Sequence, residues 1–319
     1  MGKYYYLIAG LPHLTFDGFK PPFTLTAFRE QLTEQLTRAD ARLLDNLVLK
    51  IDNKNLLEQL RNPDYELIEG GNITADEIKT LVSGIQTETN SIKEIEEYYQ
   101  SDEYYYKHVK KVSKSNLKIF KNKNRRLPVY FEPFVRAYLK SIENGEEIII
   151  PWEDRLSALY YEFVMKCSNS FLASWFDLNL NINNIYTALT CRKYKLNIAN
   201  YIVGNSEVSN KLRSSTAPDF ELSESLAYFS SICRIAEDSD WMQRELKTDQ
   251  LRWEWLDEQV FPQVFAIENV IAYWLKIEML EHWSGLDKVA GDQAFRQLVG
   301  VMKNGSTHVL EEFKRNNKK

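Results

Sequence analysis

The side chains able to do acid–base, metal or nucleophilic chemistry are few and scattered along this 319-residue chain. The histidines are His13, His108, His282 and His308, far apart in sequence. Glu278 and His282 stand one helical turn apart, a spacing that puts both on one face and lets them share a ligand. No second histidine joins them, so the pair reads as a helix C-terminus with a partner for its dipole. Asp238-Ser239-Asp240 lacks the glycine and the closing glutamate of a calcium loop. Gly70-Gly71 has no Lys-Ser/Thr after it, so it reads as a turn and not as a phosphate cradle, and no dinucleotide fingerprint or nucleophile elbow occurs. The carboxylate pairs Glu96-Glu97 and Glu146-Glu147 fall in surface-like stretches with nothing to drive their pKa values apart. The expectation is a non-catalytic chain with no metal and no cofactor. Cys167, Cys191 and Cys233 are an odd, widely spaced set, which predicts reduced thiols in a reducing compartment.

Charge is the other source of chemistry. Net charge is −5, which disfavours nucleic acid as the main partner. Lys107 to Arg126, however, holds nine basic residues and no acid. Lys107, Lys110, Lys111, Lys114, Lys118, Arg125 and Arg126 are the candidate interaction residues in it. An alternative function follows from this run: a helical adaptor that binds nucleic acid or an acidic protein through 107–126, with Tyr104, Tyr105, Tyr106, Phe120 and Tyr130 as stacking platforms. Glu237 to Glu258 is conversely acid-rich and reads as a solvated face or a docking surface.

The elements that carry these residues read as helices throughout. Glycine and proline are scarce, at 12 and 9, which leaves long helices free to form. Helical pattern begins near Thr24 or Thr26, with Thr26, followed by Arg29 and Glu30, as the expected cap. It resumes from Asn53 or Asn55 to Arg61, and again after Thr74, which with Glu77 makes a capping box for a helix towards Ile85. Further helices are expected over Phe134–Ile142, Glu153–Phe176, Asn184–Tyr194, Glu221–Ile235, Gln243–Leu256, Phe265–His282 and Phe295–Met302. Asn144-Gly145 is a strong turn signal and sets an expected boundary between an N-terminal helical part, 1–145, and a C-terminal part, 146–319, that holds every tryptophan.

One internal echo stands out. Leu49 to Leu60 aligns at a constant offset with Leu178 to Leu189, so that Leu49, Ile51, Asp52, Asn55, Leu56 and Leu60 fall on Leu178, Leu180, Asn181, Asn184, Ile185 and Leu189. The reading is two Asx-rich turns, each capping an apolar helix, and hence two similar helical units. Asn179, Asn181, Asn183 and Asn184 would weaken a helix interior but suit a turn. The expectation is therefore a half-buried turn at Asn179–Asn184, with a helix capped near Asn184.

Two segments resemble a known family. Trp175 to Leu189, then Cys191-Arg-Lys-Tyr-Lys-Leu and Ile202-Val-Gly204, resembles a stretch of the C-type central-stalk subunit of V/A-type rotary ATPases, the d-type subunit of vacuolar enzymes. Asn184-Ile185, the basic pair Arg192-Lys193, and Gly204 hold that stretch's motif positions. Ile267 to Glu281 resembles a C-terminal helix of the same family, with Tyr273 and Lys276 at its Tyr and Lys. Thr190-Cys191 departs from the usual Arg-Ala, and Phe265-Ala266 from the usual Pro-Ile. The Asn-Ile-Arg ending is absent. Nearly the full length also resembles an uncharacterised bacterial family that accompanies V-type ATPase subunits and takes the place of the C-type one.

The resemblance implies an all-α fold of helical subdomains related as pseudo-repeats, funnel-like. It implies a non-catalytic central-stalk role linking the rotor axle to the membrane ring, with the axle and ring proteins as partners. The motif residues would be Asn181, Asn184, Ile185, Gly204, Tyr273 and Lys276. No run approaches the ~20 apolar residues of a membrane span, and no export signal is read at the start. The expected location is cytoplasmic, peripheral to the inner membrane through the complex.

Overall fold

The computed structural model describes residues 4–16, 20–98 (the backbone alone over 90–98), 127–145, 150–263 and 265–286. The helices are α1 (Tyr5–Gly10), α2 (Leu25–Gln35), α3 (Arg38–Arg61), α4 (Ala75–Tyr98), α5 (Phe131–Asn144), α6 (Trp152–Val164), α7 (Ser170–Tyr194), α8 (Glu207–Ser214), α9 (Phe229–Ala236), α10 (Trp241–Val260) and α11 (Ile267–Gly285). The fold is all-α, and no strand occurs among the described residues. No helix among them is long and apolar enough to cross a membrane. The basic run 107–126 and the expected helix Phe295–Met302 lie outside the described residues.

The caps explain where helices start. Thr24, and not the expected Thr26, opens α2: its Oγ1 accepts from Ala27 N at 3.2 Å, and Thr26 lies inside the first turn. The Thr74–Glu77 capping box is formed in both directions, Thr74 N to Glu77 Oε2 at 3.0 Å and Glu77 N to Thr74 Oγ1 at 3.3 Å. Asn169 Oδ1 accepts from Leu172 N at 2.9 Å and opens α7. That cap breaks the single helix expected over Glu153–Phe176 into α6 and α7. Likewise Phe220 and Glu221, both at positive φ, keep the chain non-helical at the expected helix start, and α9 begins only at Phe229.

The Asn-rich segment corrects the largest expectation. Asn179 to Asn184 is not a turn: it lies inside the 25-residue α7, and its counterpart Asp52–Asn55 lies inside the 24-residue α3. Asparagine weakens a helix because its side chain competes for backbone groups. Here the side chains of Asn181 and Asn184 are otherwise engaged, as set out below. The apolar partners do not alternate across a half-buried turn either: Leu178, Leu180, Ile182 and Ile185 are all buried, as are Asn181 and Asn184. α7 is a helix buried on most of its circumference.

The chain divides into two compact units, one of Met1–Thr37 with Asp249–Lys319 and the other of Arg38–Thr248. The expected boundary at 145/146 thus falls inside the second unit. Gly145 caps α5 in a left-handed conformation (φ 60°), but α3 and α6, from either side of that turn, pack together. Tyr160 of α6 donates to Asn46 O of α3 at 2.9 Å. The tryptophans are shared: Trp152, Trp175 and Trp241 fall in the second unit, Trp253, Trp255, Trp274 and Trp283 in the first.

In the first unit, α11 packs on α2. Phe28 is fully buried, with its ring 5.3 Å from Tyr273 and 6.3 Å from Trp274. Glu281 accepts from Leu25 N at 2.7 Å, at the opening of α2. In the second unit α7 is the central helix, with α6, α8 and α9 packed around it and α3 beyond α6.

Candidate functional site

The structure brings Asn184 and Gly204 together, around one contact between α7 and the loop that follows it, while Asn181 and Ile185 lie on the same helix. Asn184 is 2% exposed. Its Nδ2 donates to Val203 O at 2.8 Å and its Oδ1 accepts from Val203 N at 3.0 Å. A single side-chain amide thus satisfies both backbone groups of one residue, as a neighbouring strand would. Nδ2 also donates to Ser209 Oγ at 3.1 Å, and Ser209 Oγ donates to Val203 O at 3.1 Å. Gly204 sits at φ +78°, and a Cβ there would lie 3.2 Å from Leu180 Cδ2. Glycine is needed on both counts, conformation and close approach. Ser206 then opens α8, accepting from Ser209 N at 3.1 Å, and Arg213 reaches back from α8 to Ile202 O at 2.9 Å and to Gly204 O. Ile185 is fully buried in the same face.

Asn181 does something different. Its Nδ2 donates to Asp177 Oδ2 at 2.9 Å and to Tyr228 OH at 3.2 Å. Burial pushes the Asp177 carboxyl up, against the pull of the Asn181 bond. Burial likewise pushes Tyr228 up to about 12. Both groups read as structural, since their shifts come from desolvation with no opposing charge.

The same latch occurs on α3. Asn55 Nδ2 donates to Ile68 O at 3.0 Å and Asn55 Oδ1 accepts from Ile68 N at 2.8 Å. Asp52 Oδ1 accepts from Asn72 N at 2.8 Å and Ile73 N at 3.0 Å, leading the chain into the Thr74 cap of α4. Gly70, at φ +93°, would place a Cβ 3.6 Å from Ile51 Cδ1. The echo aligns Ile51 with Leu180 and Asn55 with Asn184. It marks the latch residues, but their role is to hold the following loop and not to cap a helix. Ser209, Arg213 and the positive-φ state of Gly70 escape a reading of the sequence. A Ser or Thr cap a few residues after a glycine, following an Asn-bearing helix, is the signal that would find them.

The latched loop has a neighbour. Gly204 to Ser206 form one wall of a 680 Å³ cleft whose other walls come from α5 and α6, with Phe134, Trp152 and Leu159. Arg155 lies over the Trp152 ring at 4.6 Å, and Glu162 is the acid of the lining. The cleft is mostly apolar. It suits an inserted apolar side chain better than proton transfer.

The other two motif residues lie in the first unit. Tyr273 OH donates to Pro12 O at 3.0 Å, and burial pushes it up to about 12. Lys276 pairs with Asp257 and lies 4.7 Å over the Trp253 ring. These contacts tie α11 to the opening segment and to α10. The candidate residues Lys107, Lys110, Lys111, Lys114, Lys118, Arg125 and Arg126 lie outside the described residues. Among the described residues no cluster of His, Cys, Asp or Glu has the makings of a metal site.

Neither a curated protein nor a solved structure matches the chain. One family does, over residues 1–118 and 99–306, and its description carries no activity. Those spans take in both latches and the α11 contacts, so the chain belongs to the family described as "Protein of unknown function (DUF2764)".

Proposed function

We propose that this chain is a non-catalytic part of the central stalk of a V/A-type ATPase, standing where such enzymes have their C-type subunit, and that it links the rotor axle to the membrane ring. The observation that carries this reading is the latch. Two of the residues through which the sequence resembles the C-type family, Asn184 and Gly204, meet in one joint, and α3 makes the same joint through the echoed Asn55. A torque-transmitting part needs stiffness between successive helices. A side-chain amide that pairs with both backbone groups of a loop residue supplies it where no sheet can. The duplication also supports helical units built on one plan. The role asks for partner surfaces and no chemistry, in keeping with Asn184 and Tyr273, which bind backbone.

The test is purification of the native complex through an affinity tag on the chromosomal copy of this chain. The expected result is co-elution with the axle and ring proteins in fixed stoichiometry, with ATP-driven ion pumping lost in a deletion strain. Recovery of the chain alone, with the ATPase assembled and coupled without it, overturns the proposal.

A further inference from the structure

The end of α7 and the segment that follows it put large apolar side chains in solvent near positive charge in the sequence. Tyr194 is 63% exposed, Leu196 46% and Tyr201 43%. From Leu178 to Ser206 the sequence has Arg192, Lys193 and Lys195 and no acid. Arg192 turns inward: it donates to Pro218 O at 2.7 Å and Ala217 O at 2.6 Å, and its guanidinium lies 3.3 Å over the Phe220 ring. The charge presented to solvent is therefore that of Lys193 and Lys195. Both are exposed, and neither makes an ion pair among the described residues.

The backbone gives a second, independent observation. Lys195 ends α7 in the left-handed conformation, φ 57° and ψ 37°, with Leu196 N donating to Cys191 O at 2.9 Å. Glycine is the residue that takes this conformation at least cost, and the apolar residue after it ordinarily folds back onto the helix. The tip has a lysine at the strained position and leaves Leu196 half in water. Stability alone asks for the opposite on both counts.

We propose that Lys193, Tyr194, Lys195, Leu196 and Tyr201 form the docking surface for an acidic protein surface of a neighbouring subunit. Tyr194 and Tyr201 are the anchors, and the two ammonium groups meet carboxylates. Tyrosine supplies a rigid, amphipathic contact of the kind that dominates interface energetics. Exposed lysines steer an acidic partner and fix its register. The inference rests on the central-stalk reading, which supplies the neighbouring protein.

The experiment is zero-length carbodiimide coupling in the native rotary complex. It joins a lysine amine to a carboxylate with loss of water only where the two are in contact. Expected are peptides that join Lys193 or Lys195 to an Asp or Glu of another protein of the complex. The double variant Lys193→Arg with Lys195→Arg should keep the complex but lose those peptides, because arginine keeps the charge and has no amine to couple. Lys195→Gly should raise the melting midpoint of the isolated chain yet weaken assembly at least fivefold. Tyr194→Ala with Tyr201→Ala should weaken assembly at least tenfold. An assembled complex in which Lys193 and Lys195 acetylate as fast as in the isolated chain overturns the inference and leaves the central-stalk reading standing. Salt-sensitive RNA binding abolished by the tyrosine pair, with assembly unchanged, overturns it too. Failure of the wild-type chain to join any complex removes both.

Discussion

The α3 and α7 joints make the same primary contact and reinforce it in opposite ways. In each, an asparagine of a long helix pairs with both backbone groups of a loop residue, and a glycine at positive φ packs on the side chain four residues before that asparagine. Around α3 the reinforcement is an acceptor: Asp52 takes two loop amides. Around α7 it is a donor: Arg213 gives to two loop carbonyls, with Ser209 filling in between. The echoed position of Asp52 is Asn181, which faces Tyr228 and Asp177 and not the loop. The difference teaches that the latch is the common element, while the second contact adapts to the loop: the two loops are of similar length, but after α7 a 3-10 turn at Ile198–Asn200 intervenes.

The largest expected effect is at the latch itself. Asn184→Ala leaves the N–H of Val203 unpaired, takes one of two donors from Val203 O, which keeps Ser209, and strips a donor from Ser209, a loss of about 2 kcal/mol at one to three per orphaned group. Asn55→Ala orphans both backbone groups of Ile68, with no counterpart to Ser209 to hold the carbonyl, and should lose about 3 kcal/mol. Urea unfolding midpoints check both. Asn184→Asp sharpens the point: it keeps the acceptor for Val203 N but faces Val203 O with a carboxylate, so it should be no more stable than the alanine variant. Equal, near-zero losses at both sites would break the comparison and return these asparagines to the role of ordinary polar residues.

How much of this is legible in the sequence depends on the range of the contact. The all-helical class, the Thr74 cap and the Gly145 turn are readable, because each is set by residues within one turn of one another. The echo is readable as a pattern, but its meaning is not. Asn184 has its partner 19 residues away and Asn55 has its partner 13 away. Propensity sees only that four asparagines disfavour a helix. It cannot see that tertiary bonds have engaged two of them, while Asn179 bonds back to Trp175 O at 2.8 Å inside the same helix. The split of the chain at residues 37 and 249 is illegible for the same reason, since it joins segments from the two ends.

Next in size are the glycines. Gly204→Ala meets both a left-handed conformation and Leu180 at 3.2 Å, whereas Gly70→Ala meets a positive φ with Ile51 at an ordinary 3.6 Å. We expect losses of about 2 and about 1 kcal/mol, from the cost of left-handed backbone for a residue with a Cβ. Thermal unfolding of the two variants ranks them. The reverse order would show that the two loops do not sit on their helices as described.

The reinforcing contacts come third and test their independence. Arg213→Ala removes a charged donor from the carbonyls of Ile202 and Gly204, and Asp52→Ala removes the acceptor of two amides. Each should lose about 1.5 kcal/mol. Amide exchange should show the first loosening 202–206 alone and the second 68–73 alone. Joint loosening of both loops by either change would mean that they form one cooperative element and not two separate joints.

The smallest effect separates the two helices by pH, through how each one's C-terminal arginine is held. Arg61, the last residue of α3, pairs with Glu153 on α6, and this bond holds the Glu153 carboxyl below the usual range. Arg192, near the end of α7, binds carbonyls and the Phe220 ring instead, and the carboxylate near it, Asp219, acts through space with no hydrogen bond to it. A carboxyl with a lowered folded-state pKa binds fewer protons folded than unfolded. Its contribution is therefore complete above the ordinary glutamate value and disappears as pH falls through the lowered one. Both side chains of the pair are substantially exposed, at 41% and 53%, so the contribution is no more than about 0.5 kcal/mol. Protection factors for the last turn of α3 should accordingly drop slightly between pH 6 and about pH 3, while those for the last turn of α7 hold, because a guanidinium and a carbonyl do not change charge over that range. Glu153→Gln should flatten the α3 response. A matching drop at the end of α7 would show that acid loosens the unit as a whole, and that the Arg61–Glu153 pair is not what sets the difference between the two helices.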